Sequence, residues 1–200
     1  AIFGTAAALK QMVGVIVEVD TAMTDLKKVM SLDTNFDDIL QSAIDKGKEF
    51  GKTITDVLAS YNTFAKQGFK ADDLANMSDA ALIASNVGDM DAAKSAEYLT
   101  SAIVQFKLET KDAISVVDAW NNISNQNATT IENLAQGTAA AGSTAKAFGV
   151  DMNQLNGIIG TVTEATRQSG TEVGNFVKNV LPRLNSTKAQ GGLEAIGVAA

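Results

Sequence analysis

Hydrophobic residues recur along this chain every three or four positions, and each run ends at a glycine or a short polar cluster. From Ile2 to about Met30, the residues Leu9, Met12, Val13, Ile16, Val19, Met23, Leu26 and Val29 form one stripe at helical spacing. That stripe predicts a long N-terminal amphipathic helix. Ser31 to Asn35 breaks it, and Thr34 or Asn35 caps a second helix carrying Phe36, Ile39, Leu40, Ala43, Ile44 and Phe50, which Gly51 ends. Thr53 or Thr55 opens a third, with Val57, Leu58, Tyr61 and Phe64 inward, ending at Gly68.

Caps and stops alternate through the rest of the chain. Ala71-Asp72-Asp73 leads a helix that stops at Gly88, with the Asn76-Met77-Ser78-Asp79 cluster as a point where it can split. Asp89 or Asp91 caps the helix of Ala96, Leu99, Ile103 and Phe106, and Thr110 caps Ala113 to Ile123, with Trp120 on the apolar side. Thr129 has Glu132 three residues on, the capping-box spacing, so it is favoured over Thr130 as the next N-cap. Helices then span about Ile131 to Phe148, Met152 to Arg167 and Glu172 to Leu184.

No stretch alternates with the period of a strand, and the connections are short, which favours antiparallel neighbours. The expected fold is all-α, a multi-helix array of antiparallel helical hairpins behind a long N-terminal amphipathic helix. The expected organisation is an N-terminal helix at 1–32, a helical core at 33–187 and the start of a following segment at 188–200. The opening at Ala1 and the apolar close at Gly197 to Ala200 lead us to expect that the polypeptide continues at both ends. Two phrases, Gly68 to Leu74 and Gly149 to Leu155, share a glycine, a hydrophobic residue, an acidic residue and a leucine. Related helix-turn-helix units would produce this, and so would a shared grammar of C-caps and N-caps.

Composition narrows the chemistry. Hydrophobic residues make up 46% of the chain but aromatics only 6%, so alanine carries much of the interior and packing must be close. The formal charge of −7 opposes duplex nucleic-acid binding, which needs clustered Lys and Arg, and no specific nucleic-acid binding is expected. Lys27, Lys28, Lys46, Lys48 and Lys52 sit among acids and read as solvated helix faces. The chain has no cysteine, hence no disulfide framework, and no histidine, the commonest general base and metal ligand. Lys10 and Gln11 interrupt the apolar N-terminal run, which is far shorter than the roughly 20 residues that span a bilayer.

Several motifs imitate known chemistry and fail. Gly137 to Thr144 has the glycine spacing of a phosphate-binding loop, but Ser143 stands where the lysine belongs and no strand precedes it. Asp33 to Asp37 opens like a calcium loop, yet Asp38 replaces the turn glycine and Ile44 the bidentate glutamate. The pairs Asp37-Asp38 and Asp72-Asp73 suit helix N-termini, where the macrodipole favours negative charge. Adjacent carboxylates on one helix do not face each other across a substrate. No catalytic, cofactor-binding or metal-binding residue is expected. Gly47 and Gly51, like Gly170 and Gly174, stand four apart, and turn or cap roles are favoured over close helix pairing for both. Alanine-rich Ala135 to Ala147 should approach a neighbouring helix closely, in this chain or in another copy.

The stretch Ser124 to Leu184 resembles the core of tailed-phage tape measure proteins. The likeness is carried by Thr130 to Leu134, Ala147-Phe148-Gly149 and Ser169 to Gly174, with Ser169 to Leu184 the firmest match. Val19-Asp20, Ala22-Met23 and Leu26 look like that family's opening helix, and Leu193 to Val198 like its continuation. Between Leu32 and Thr110 the likeness is mostly helix rhythm. The resemblance implies a structural tail component, not an enzyme, that sets tail length, scaffolds tube assembly and occupies the lumen before genome ejection. It implies tail-tube, assembly-chaperone and tail-tip partners, self-association, and membrane contact only during ejection. It places the protein in the virion tail, assembled in the bacterial host cytoplasm. The alternative is a helical secreted or signalling adaptor, which sustained heptads would favour.

Overall fold

The computed structural model describes residues 2–184 together with Ser186, with side chains from Lys10 onward. The helices are α1 (Ile2–Val29), α2 (Phe36–Phe50), α3 (Ile54–Lys66), α4 (Ala71–Gly88), α5 (Ala92–Phe106), α6 (Ala113–Gln126), α7 (Ile131–Ala147), α8 (Met152–Thr166) and α9 (Gly170–Leu184). A 3₁₀ turn at Thr110–Asp112 leads into α6, and no strand occurs among the described residues. The protein is all-α. It folds as two compact units, the first ending at Glu97 and the second beginning at Tyr98. The segment 188–200, including the Leu193 to Val198 phrase, lies outside the described residues, as does the side chain of Leu9.

Local chemistry sets most helix ends. The Asn35 side-chain oxygen accepts from the amides of Asp37 and Asp38. This satisfies two of the donors that a helix start leaves unpaired. Thr53 forms a reciprocal capping box with Asp56, and Asp151 does the same with Gln154. Asp91 takes the Lys94 amide at 2.7 Å, whereas Asp89 belongs to the end of α4, in the left-handed region at φ 51°. α3 and α7 end alike: Gly68 and Gly149 adopt φ of 90° and 77°. The amides of Phe69 and Val150 then reach back to the Phe64 and Ala145 carbonyls. Phe69 stacks edge-on against Phe64 at 6.0 Å. The two phrases share this helix stop but not the helix start, since Asp151 caps α8 through its side chain while Lys70 opens α4 without a side-chain cap bond.

Four expectations give way. Thr130, not Thr129, caps α7, accepting from the Asn133 amide at 3.1 Å. The Thr129 hydroxyl is instead engaged by Thr163 of α8 at 2.8 Å, a tertiary bond that outcompetes the local one. Thr110 starts the 3₁₀ turn rather than capping α6 directly. α4 runs unbroken through Asn76 to Asp79, because Met77 and Ser78 are buried and Asp79 pairs with Lys46 of α2. Lys46 is accordingly no solvated lysine: its side chain is only 13% exposed.

In the first unit, α1 lies against α3, and α2 against both α3 and α4. Leu26, Leu58, Phe64, Met77 and Leu82 are fully enclosed, each contributing roughly 1.5–3 kcal/mol by burial. The α1 stripe is only partly used. Met23 and Leu26 are buried, but Met12, Val13 and Ile16 are 62%, 59% and 64% exposed, and Val29 is exposed as well. Val15 and Val17 are also exposed and lie off the predicted stripe. This half of α1 is apolar around most of its circumference, so no single neighbour can cover it.

Candidate interaction surfaces

α7 is the helix on which the second unit is built, and its sequence explains why. Its interior positions include Ala135, Gly137, Ala141, Gly142 and Ala145, all buried. Little side-chain bulk separates its backbone from its neighbours. A Cβ placed on Gly137 would lie 2.7 Å from Ile159 of α8, and one on Gly142 would meet Gln105 and Phe106 of α5. The Gln105 amide donates to the Ala139 carbonyl at 2.9 Å. The sequence that imitates a phosphate loop is therefore helix interior, and its glycines are packing contacts.

α9 makes the closest approach. The Gly170 amide donates to Asn133 Oδ1 at 2.9 Å across 37 residues. A Cβ on Gly170 would fall 1.8 Å from the Asn133 carbonyl oxygen, and one on Gly174 would fall 2.7 Å from both the Gly137 oxygen and Ala140 Cβ. Residues 170 and 174 thus face 133 and 137 in the same order, so α7 and α9 run parallel. This corrects the reading of Gly170 and Gly174 as turn and cap glycines: they are where two helices touch backbone to backbone. Of the other pair, Gly51 ends α2 in the left-handed region as expected, whereas Gly47 is buried inside α2. Ser169 precedes α9 and exchanges hydrogen bonds with Glu172. Those bonds hold the Glu172 carboxyl below its usual range.

A buried polar chain ties three helices together. Trp120 Nε1 of α6 lies 3.4 Å from Thr138 Oγ1. Thr138 Oγ1 in turn lies 2.9 Å from Asn156 Oδ1 of α8 and 2.8 Å from the Leu134 carbonyl, its single proton serving one of the two. Sequence reasoning placed Trp120 on an apolar face and missed this chain, since nothing local marks Thr138 or Asn156 as partners.

Chemistry-bearing groups are sparse. Among the described residues no group of three or more His, Cys, Asp or Glu side chains is placed to hold a metal ion. No helix among them is long and apolar enough to cross a membrane. In the imitation calcium loop, Asn35 serves the α2 amides and the Asp33 carboxylate accepts from the Ser31 hydroxyl. A cleft of about 770 Å³ opens in the first unit, walled by Val29, Asn35, Ile39, Ser42, Tyr61 and Phe69 among others. At its floor the Ser42 and Tyr61 hydroxyls meet at 2.9 Å. Burial pushes the Tyr61 phenol above its ordinary 10.0, against the opposing effects of Ser42 and Lys46. Asp33, Asp38, Lys70 and Asp72 also line this cleft.

The outward face of α1 is apolar, and Val104, Phe176 and Leu184 are exposed on α5 and α9. No solved structure matches the chain. The profile of the family described as phage-related minor tail protein matches residues 41–200, from within α2 onward, leaving α1 outside the matched span. The chain belongs to the phage-related minor tail protein family.

Proposed function

We propose that this member of the family is a tape measure protein: a helical ruler that sets tail length, scaffolds polymerisation of the tail tube and occupies its lumen until the genome is ejected. The observation that carries the reading is the combination of tail-family membership with a chain of successive helices whose tight contacts are backbone-to-backbone, and whose conspicuous exposed features are apolar faces. A helix rises about 1.5 Å per residue, so a largely helical molecule laid along a tube converts residue number into length. No catalytic residue, metal or cofactor is needed for that work. The partners it requires are the tail-tube protein, assembly chaperones, tail-tip proteins and other copies of the chain. The net charge of −7 supplies no basic footprint for the DNA that later fills the same tube. Assembly in the host cytoplasm and residence in the virion tail follow from the same role.

The test is an in-frame deletion of α6 to α9, Ala113 to Leu184, in the gene that encodes this chain, followed by electron microscopy of the particles. Those 72 residues correspond to roughly 110 Å if fully helical and laid end to end, and tails should shorten by a length of that order. Tails of unchanged length would sink the reading.

A further inference from the structure

α1 carries an exposed apolar face whose spacing is that of a coiled-coil seam. Met12, Ile16, Val19, Met23 and Leu26 follow one another by four, three, four and three residues, the alternation that keeps one line of side chains facing a partner helix. The first unit uses the second half of that line: Met23 and Leu26 are buried, and Asn62 of α3 donates to the Ala22 carbonyl at 3.0 Å. The first half continues the same line into solvent. Met12 and Ile16 are exposed, and so are Val13, Val15 and Val17 beside them. We infer that this half of α1, from Met12 to Val19, is an interface between copies of the chain, packed parallel and in register in a bundle of at least three helices.

Three observations converge on that occupant. The first is continuity with an interface already formed. α1 is one unbroken helix of 28 residues, anchored through Met23 and Leu26, so the seam leaves the unit already helical and association does not have to nucleate it. The second is width. At about 100° per residue, Val15, Val19, Met12, Ile16, Val13 and Val17 succeed one another around roughly 200° of the helix. One partner covers a seam and its immediate flanks, so an arc this wide needs two neighbours, which each helix has in a bundle of three or more. The third is charge. Asp20 is the one charged residue on the arc, and in a parallel, in-register bundle it flanks Val15 of the neighbour rather than another acid. Nothing on the arc therefore repels a second copy, and no charge pattern there selects a different chain. Lys10, Gln11, Gly14 and Glu18 share the opposite side. That side lacks the run of Lys and Arg that holds an amphipathic helix on anionic lipid.

The inference rests on the surface of α1, which lies outside the span matched by the family profile, and it gives a place to the self-association that the tape-measure reading calls for. The two fail separately, since one is read from the purified chain and the other from tail length. Sedimentation equilibrium of the 200-residue chain at micromolar concentration should give a mass at least three times 20.8 kDa. Ile16→Lys should raise the concentration of half-assembly at least about tenfold, while the diluted monomer keeps its thermal midpoint. Val104→Lys, at a comparably exposed site on α5, should leave assembly unchanged. Met12→Cys in this cysteine-free chain should yield a disulfide-linked dimer on a non-reducing gel, and Gly14→Cys, on the opposite side of α1, should not. A chain that stays monomeric overturns the inference, and flotation of that monomer with phosphatidylglycerol vesicles would assign the face to a bilayer instead. A mass of two copies overturns the bundle. Assembly that survives Ile16→Lys, or equal crosslinking at positions 12 and 14, would place the contact elsewhere and overturn it as well.

Discussion

The parallel contact of α7 with α9 makes a prediction whose sign separates it from the ordinary behaviour of helical glycines. In an open helix interior, Gly→Ala stabilises by about 0.5–1 kcal/mol, because alanine loses less backbone entropy on folding. At Gly174 the added Cβ would sit 2.7 Å from the Gly137 oxygen and from Ala140 Cβ, and 3.0 Å from Gly137 Cα. Two of those three atoms are backbone, so relief requires α7 and α9 to move apart. Overpacking of this kind costs typically about 1–3 kcal/mol, which outweighs the propensity gain and leaves a net loss of about 1–2 kcal/mol. Gly157→Ala, where nothing lies within 4 Å, should gain stability instead. The assay is urea unfolding followed by fluorescence of Trp120, the single tryptophan. It is fully buried within the same unit and so reports on that unit alone. For a unit of about 100 residues the loss also corresponds to a midpoint lowered by roughly 4–16 °C. Should Gly174→Ala prove as stabilising as Gly157→Ala, the backbone contact between α7 and α9 does not exist.

Other consequences can be read in simpler measurements. Leu26→Ala, in the enclosed end of α1, should cost about 2–5 kcal/mol. Ile16→Lys should stay within about 0.5 kcal/mol as an exposed surface change; thermal unfolding by circular dichroism compares them, and a large loss at Ile16 would place that face in the core. Thr130→Ala should lower stability by about 0.5–2 kcal/mol through loss of the α7 cap, and Thr130→Asn should restore most of it; failure of the asparagine to rescue would return the cap to Thr129. The phenol of Tyr61 has its pKa raised by burial, so the folded state holds that proton more tightly than the unfolded one. Its stabilising contribution is complete below pH 10 and is lost as pH rises through the higher folded-state value. Tyr61→Phe should flatten the alkaline stability profile, and an unchanged profile would refute the assignment. If tail length counts residues, phage carrying Gly174→Ala should build tails of parental length, which electron microscopy would measure.

Local signals were legible, and signals that depend on a distant partner were not. Asn35, Thr53 and Asp151 cap their helices through bonds to amides two or three residues away, so the sequence window that contains the cap also contains its reason. For Thr129 and Thr130 the local spacing pointed to the wrong residue, because the Thr129 hydroxyl is engaged by Thr163, 34 residues further along. The same holds for Lys46, whose partner Asp79 sits on another helix, and for Trp120 with Thr138 and Asn156. The α1 stripe was legible as a helix, but its periodicity carried no information about how far a neighbour extends along it. Met23 and Leu26 meet the rest of the first unit, and Met12 to Val17 do not.

The glycine pairs show why one pattern had two meanings. Gly47-to-Gly51 and Gly170-to-Gly174 have the same spacing, and charged residues lie inside both. Gly51 sits where a helix ends and its chain must turn through positive φ. Gly170 sits where one begins, close enough to α7 for its amide to bond Asn133. What distinguishes them is the partner helix: Ala135, Gly137, Ala140 and Ala141 remove the side-chain layer that ordinarily keeps helices 8–10 Å apart. An interface of that kind draws little on large buried side chains and much on many short-range backbone contacts, whose attraction falls steeply with separation. It therefore holds only when the fit is close. A chain with 6% aromatic residues can build a defined bundle on those terms, because alanine and glycine along α7 bring backbone to backbone what leucine and phenylalanine elsewhere supply as area.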